Sequence, residues 1–153
     1  MHKLKYKDVP EVGTRLAEMA AKELLDSGFF DGITRIVPLP LSKKKQRKRG
    51  YNQSEYIAMG VSNITGIPVD TTLMRRDIAN ETQTHKQREA RWKNVESVFS
   101  VTSPESLKGK HILLVDDVVT TGATLSSCGK SILVATPDAR LSIFALSSAG
   151  RTI

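Results

Sequence analysis

Residues 112–124 read Ile112-Leu113-Leu114-Val115-Asp116-Asp117-Val118-Val119-Thr120-Thr121-Gly122-Ala123-Thr124. Four consecutive apolar residues behind His111 suit a strand covered on both faces. The stretch 111–115 is therefore expected to be the central strand of a parallel sheet. Two carboxylates stand at its C-terminal end, and small and hydroxyl residues then open a helix expected over 124–133. In open α/β sheets, ligands bind outside the carboxyl ends of the strands. A helix N-terminus adds unpaired N–H groups and the positive end of a dipole. The loop Val119, Thr120, Thr121, Gly122, Ala123, Thr124 is thus expected to hold a phosphate. Asp116 and Asp117 beside it are expected to accept hydrogen bonds from vicinal hydroxyls. Phosphate beside a diol is the pattern of a ribose 5-phosphate. A plain helix-capping role would account for the two acids, but less well for the hydroxyl-rich loop.

Outward from this segment, helix and strand alternate. Leu16, Met19, Ala20, Leu24 and Leu25 recur on one face of a helix over 14–27, with Thr14 placed to cap it and Gly28 following. Ile33 to Val37 reads as a short strand broken by Pro38 and Pro40. A basic loop follows, and then Tyr56, Ile57, Gly60, Val61 and Ile64 fall at helical spacing up to Gly66. Short strands are expected at 72–75 and 98–101, and a last one at 141–146. Residues 76–94 are polar almost throughout, as in a mobile functional loop. The order argues an α/β domain with a mostly parallel sheet.

A chain of 153 residues that is 39% hydrophobic and 25% charged is expected to form one domain with a buried core, here 1–153. No apolar run approaches the roughly 18–20 residues that cross a bilayer, so membrane insertion is not expected. The lone Cys128 excludes an intrachain disulfide and a cysteine-built zinc site, which points to the cytoplasm. The three histidines show no metal-ligand spacing. Gly129-Lys130-Ser131 imitates the end of a P-loop, but Thr124 stands where that motif needs glycine. The net charge of +7 is concentrated in residues 42–51, which hold Lys43, Lys44, Lys45, Arg47, Lys48 and Arg49 and no acid. Such a run suits a polyanion or several phosphates; the plain alternative is a solvated charge run.

The thirteen-residue string resembles, at every position, the 5-phosphoribosyl-1-pyrophosphate (PRPP) motif of type I phosphoribosyltransferases. Val37-Pro38-Leu39-Pro40-Leu41-Ser42, the basic run and Arg49-Gly50-Tyr51-Asn52-Gln53-Ser54 resemble the pyrophosphate-binding block of these enzymes. Leu73-Met74-Arg75-Arg76, Thr82-Gln83, Arg88, Arg91, Asn94-Val95 and Phe99 resemble their mobile catalytic loop. Together the blocks are similar to the ComF competence-protein family over nearly the whole chain. Glutamine amidophosphoribosyltransferase shares the catalytic domain, but no N-terminal cysteine nucleophile is present here. Many ComF relatives carry a four-cysteine zinc module, which this sequence is expected to lack.

The resemblance implies a type I phosphoribosyltransferase fold, with a mostly parallel sheet, flanking helices and a small hood drawn from residues 1–30 and the polar loop. It implies Mg²⁺-dependent displacement of pyrophosphate from PRPP by an unknown nitrogen nucleophile. Asp116, Asp117, Arg76 and Arg91 would be catalytic. Pro38, Leu39, Pro40, Lys43 and Arg49 would face pyrophosphate, through backbone N–H groups and cations. No dedicated metal cage is implied: Mg²⁺ would bind through substrate oxygens, with Asp116 and Asp117 within its reach. Two other readings stand beside this one. One is a DNA-uptake protein holding single-stranded DNA through 43–49, with Tyr51 as the one obvious stacking candidate, although a half-buried aromatic anchoring the loop is the favoured reading of that residue. The other is a PRPP sensor without catalysis. A homodimer is compatible with all three.

Overall fold

The computed structural model describes residues 9–76 and 98–150. Its framework is a parallel sheet in the order β1-β4-β5, formed by β1 (Arg35–Pro38), β4 (His111–Val119) and β5 (Arg140–Ser148). Pro38 pairs with Val115, and Asp116 with Ala145. An isolated parallel bridge from Ile36 to Val69 extends the sheet beyond β1. The central strand is the expected one, although it runs four residues further, carrying both aspartates and Val119 into the strand.

Residues on β4 alternate between two cores, as the two-residue period of a strand dictates. Ile112 and Leu114 pack with Val37, Met74, Phe99, Leu125, Cys128 and Ile132. Leu113 and Val115 pack with Ile36, Ala17, Ala21, Ile57, Val61 and Phe144. One layer is therefore α1 (Pro10–Leu24) with α3 (Gln53–Thr65). The other holds α4 (Ala123–Ala135) and an antiparallel pair, β2 (Met74–Arg76) and β3 (Phe99–Val101).

Several boundaries differ from the sequence expectation. Helix α1 starts four residues earlier, at Pro10, whose fixed φ and missing N–H suit the first helical position. Thr14 therefore lies inside the helix, where its hydroxyl donates to the Tyr56 carbonyl at 3.0 Å. The buried face of α1 is Gly13, Ala17 and Ala21. Leu16 and Met19, expected in the core, are exposed. Small residues win that face because α3 approaches closely. A Cβ on Gly60 would fall against the Thr14 carbonyl and lie 2.8 Å from the Ala17 Cβ. Helix α1 thus belongs to the main body, not to a hood. Strand β1 begins at Arg35 rather than Ile33, and β2 ends at Arg76 rather than Arg75.

The basic run is a helix rather than a loop: α2, Lys43–Arg49. Ser42 caps it by accepting from the Lys45 N–H at 3.3 Å. Gly50 ends it at φ 79°, a left-handed conformation that glycine adopts without steric cost. Arg47, Lys48 and Arg49 favour the negative end of the helix dipole, whereas Lys43 to Lys45 oppose the positive end. All three i,i+4 pairs (Lys43 and Arg47, Lys44 and Lys48, Lys45 and Arg49) are like-charged, each costing about 0.2–0.5 kcal/mol. No α2 residue is buried, so the caps carry this helix. Among the described residues, no helix is long and apolar enough to cross a membrane.

Candidate functional site

The C-terminal ends of β1 and β4 open onto a cleft of about 190 Å³. Leu39, Pro40 and Leu41 line it from the β1 side, and Asp116, Asp117 and Thr124 from the β4 side. Lys45 and Arg49 reach it from α2, Asn52, Gln53 and Ser54 from the start of α3, and Arg76 from β2. Cationic and polar groups from three elements thus converge on one carboxylate pair.

The pair is held tightly. Asp116 Oδ1 accepts from the Asp117 N–H at 2.8 Å and from the Ser54 hydroxyl at 3.2 Å. Asp117 Oδ1 accepts from the Val118 N–H at 2.8 Å. Burial, opposed in part by the Asp117 N–H and reinforced by the adjacent Asp117 charge, raises the Asp116 pKa to about 6. Burial, with the nearby Asp116 charge, also pushes the Cys128 thiol up to about 12. Cys128 is therefore a core residue and not a nucleophile.

Asn52 positions the segment expected to face pyrophosphate. Its Nδ2 donates to the Leu39 carbonyl at 3.0 Å, and its Oδ1 accepts from the Ser54 N–H at 3.1 Å, capping α3. One buried side chain thereby fixes the turn after β1, the start of α3 and the hydroxyl that meets Asp116. Asn52 and Ser54 stand in the block that resembles the pyrophosphate-binding segment, but neither is given a role there by sequence reasoning. The signal was present as Asn52 immediately before a helical pattern, a capping position.

The expectation that Pro38, Leu39 and Pro40 offer N–H groups to pyrophosphate needs correction. The prolines have none, and the Leu39 N–H donates to the Val115 carbonyl at 2.9 Å. Pro38 is paired in β1, and only Leu39 and Pro40 reach the cleft wall. Of the basic residues, Arg49 lines the cleft and Lys43 does not; Lys45, one turn from Arg49, takes that place. Of the phosphate loop, Thr124 lines the cleft while Val119 to Ala123 lie outside its lining. Val119 belongs to β4, Ala123 and Thr124 to α4, and Gly122 turns between them at φ 77°. The Thr121 hydroxyl accepts from the Ala123 N–H at 3.3 Å.

Arg76 stacks over the Phe99 ring, 5.4 Å from its centroid. Phe99 and Leu73 are buried core residues. Tyr51 packs edge-on against Tyr56, with ring centroids 5.7 Å apart, as an anchor of the turn after α2. Arg91 and the rest of the polar loop expected over 76–94, beyond Arg76, lie outside the described residues. Among the described residues, no cluster of three His, Cys, Asp or Glu is placed to hold a metal ion. Asp116 and Asp117, adjacent at the strand end, offer oxygen donors of the kind that a hydrated divalent cation accepts.

Residues 6–138 match the model of the phosphoribosyl transferase domain. The chain belongs to that family, as a ComF-type member. The domain is 31% identical to the DNA utilization protein YhgH of Salmonella typhi over 136 residues, which cover 87% of this chain and 59% of that one. It is 35% identical over 111 residues to the competence protein ComFC of Bacillus subtilis, covering 72% of this chain and 43% of that one. The phosphoribosyl transferase domain seen here thus spans three fifths or less of these relatives. Its fold matches the glutamine PRPP amidotransferase of B. subtilis solved with ADP and GMP. That match has a TM-score of 0.66 at 18% identity and covers 92% of this chain and 27% of the enzyme. The sheet and flanking helices are those of a type I phosphoribosyltransferase.

Proposed function

We propose that this chain is the PRPP-binding domain of a competence-type DNA-handling protein, with single-stranded DNA as its macromolecular partner. One observation carries the reading. The cleft joins the Asp116–Asp117 carboxylate pair to Lys45 and Arg49 of α2, a helix with six basic residues in seven. The names of the relatives, DNA utilization and competence proteins, support the same reading.

In this arrangement the 5-phosphate sits at the turn from Thr120 to Thr124, and Asp116 and Asp117 meet the ribose hydroxyls. Lys45 and Arg49 face the diphosphate. Mg²⁺, when bound, would offset diphosphate charge. The reading places the protein in the cytoplasm, where a lone thiol stays reduced. Calorimetry with Mg-PRPP tests the site. In Asp116→Asn/Asp117→Asn, affinity should fall at least tenfold, about 1.4 kcal/mol. Unchanged affinity would sink the assignment.

Catalytic transfer is the second reading, favoured by Arg76 on the cleft wall, a cation able to offset the charge of a leaving diphosphate. A screen of nucleobases and amines for PRPP-dependent pyrophosphate release tests it. Binding without release from any acceptor would favour a PRPP sensor.

A further inference from the structure

We propose that α2 presents two separate anion faces, so that a diphosphate in the cleft and a DNA strand outside it are held at the same time. The proposal rests on the reading of PRPP and single-stranded DNA as partners, and deepens it by assigning individual residues of one helix to each.

The helix turns by about 100° per residue. Lys45 and Arg49, one turn apart, share the face that lines the cleft. Lys43 and Arg47 are also one turn apart, and lie roughly 160–200° around the axis from Lys45. They are exposed and absent from the cleft wall. A helix with its side chains is about 10–12 Å across, whereas charges in physiological salt are screened over about 8 Å. An anion on the front is thus largely hidden electrostatically from one on the back. No α2 residue is buried, so packing covers neither face. The back pair lies about one turn, or 5.4 Å, apart along the axis, which lets both cations meet phosphates of one strand. Tyr51 is engaged with Tyr56, so this contact is made by phosphate charge without ring stacking, and it is independent of base sequence.

The test is fluorescence anisotropy of a labelled oligothymidine with the full chain, without PRPP and with saturating Mg-PRPP. Strand affinity should stay within about threefold, and by reciprocity PRPP affinity should change as little when the strand saturates. Lys43→Gln/Arg47→Gln should weaken the strand and make the slope of log K against log salt shallower by about 1.4, or 0.7 per lost contact. Lys45→Gln/Arg49→Gln should cost PRPP at least about tenfold and the strand less. Displacement of the strand by PRPP with tenfold or greater loss would overturn the two-face assignment and leave the DNA reading intact. The assignment falls in the same way if the front pair costs the strand as much as the back pair. An oligothymidine that does not bind at low salt would overturn the DNA reading and this proposal together.

Discussion

Asp116 shows what the site costs the fold. Its carboxyl is held near pH 6 by burial and by Asp117, against an ordinary value of 3.8. An acid whose folded pKa is raised stabilises the folded state relatively below the unfolded value. That advantage is lost as pH rises towards the folded value. The penalty of keeping Asp116 ionised is thus absent below about pH 3.8 and complete above about pH 6. Asp116→Asn should therefore raise Tm at pH 7.5 and leave it nearly unchanged at pH 4, provided the amide oxygen keeps the Ser54 and Asp117 contacts. Thermal denaturation at the two pH values measures this. An equal gain at both would mean that ionisation is not the source. Loss of PRPP affinity alongside a gain in stability is the trade expected of a binding residue.

Elements differ in how they were encoded. Strand β4 was legible because four apolar residues in a row have few uses besides a strand covered on both sides. Helix α3 was legible from its apolar spacing and Gly66. Helix α1 was half legible: its existence followed from periodicity, but its buried face did not. Reading large apolar residues as core selected Leu16 and Met19, whereas close helix approach selects Gly13, Ala17 and Ala21. Helix α2 has no apolar period and was invisible to that method; its caps, Ser42 and Gly50, were the readable signal. The carboxylate pair could be read because its motif is contiguous, whereas the Ser54–Asp116 contact joins residues 62 positions apart. The α1–α3 contact yields a prediction. Gly60→Ala places a methyl where the Thr14 carbonyl and Ala17 already stand. Overpacking of this kind costs about 1–3 kcal/mol, or about 3–10 °C of Tm for a domain of this size. Gly50→Ala, with nothing within 4 Å of its Cβ, meets only its left-handed φ. It should move Tm less. A Gly60 variant as stable as the parent would show that the two helices can part without loss.

At the scale of the molecule, charge is distributed unevenly. The net charge is +7, and one seven-residue helix holds six basic residues. If all six meet phosphates, single-strand binding should have a log–log salt slope of about −4. If only the back pair does, the slope should be near −1.4, on the order of 0.7 per contact. A filter-binding titration from low to moderate salt distinguishes the two, and the two-face arrangement requires the shallower value. A slope near zero would leave α2 as a solvated cationic helix.

Because no side chain of α2 is buried, this helix can unwind while both cores stay intact. Its opening free energy is then a local quantity, far below that of global unfolding. Trypsin cleaves after lysine and arginine, and α2 supplies six such bonds in a row broken only by Gln46. Among the described residues, it is where a brief digestion should cut first. Bonds after Lys45 and Arg49 should be shielded by PRPP, and those after Lys43 and Arg47 by the DNA strand. The pattern of surviving bonds would report which ligand is present on which side.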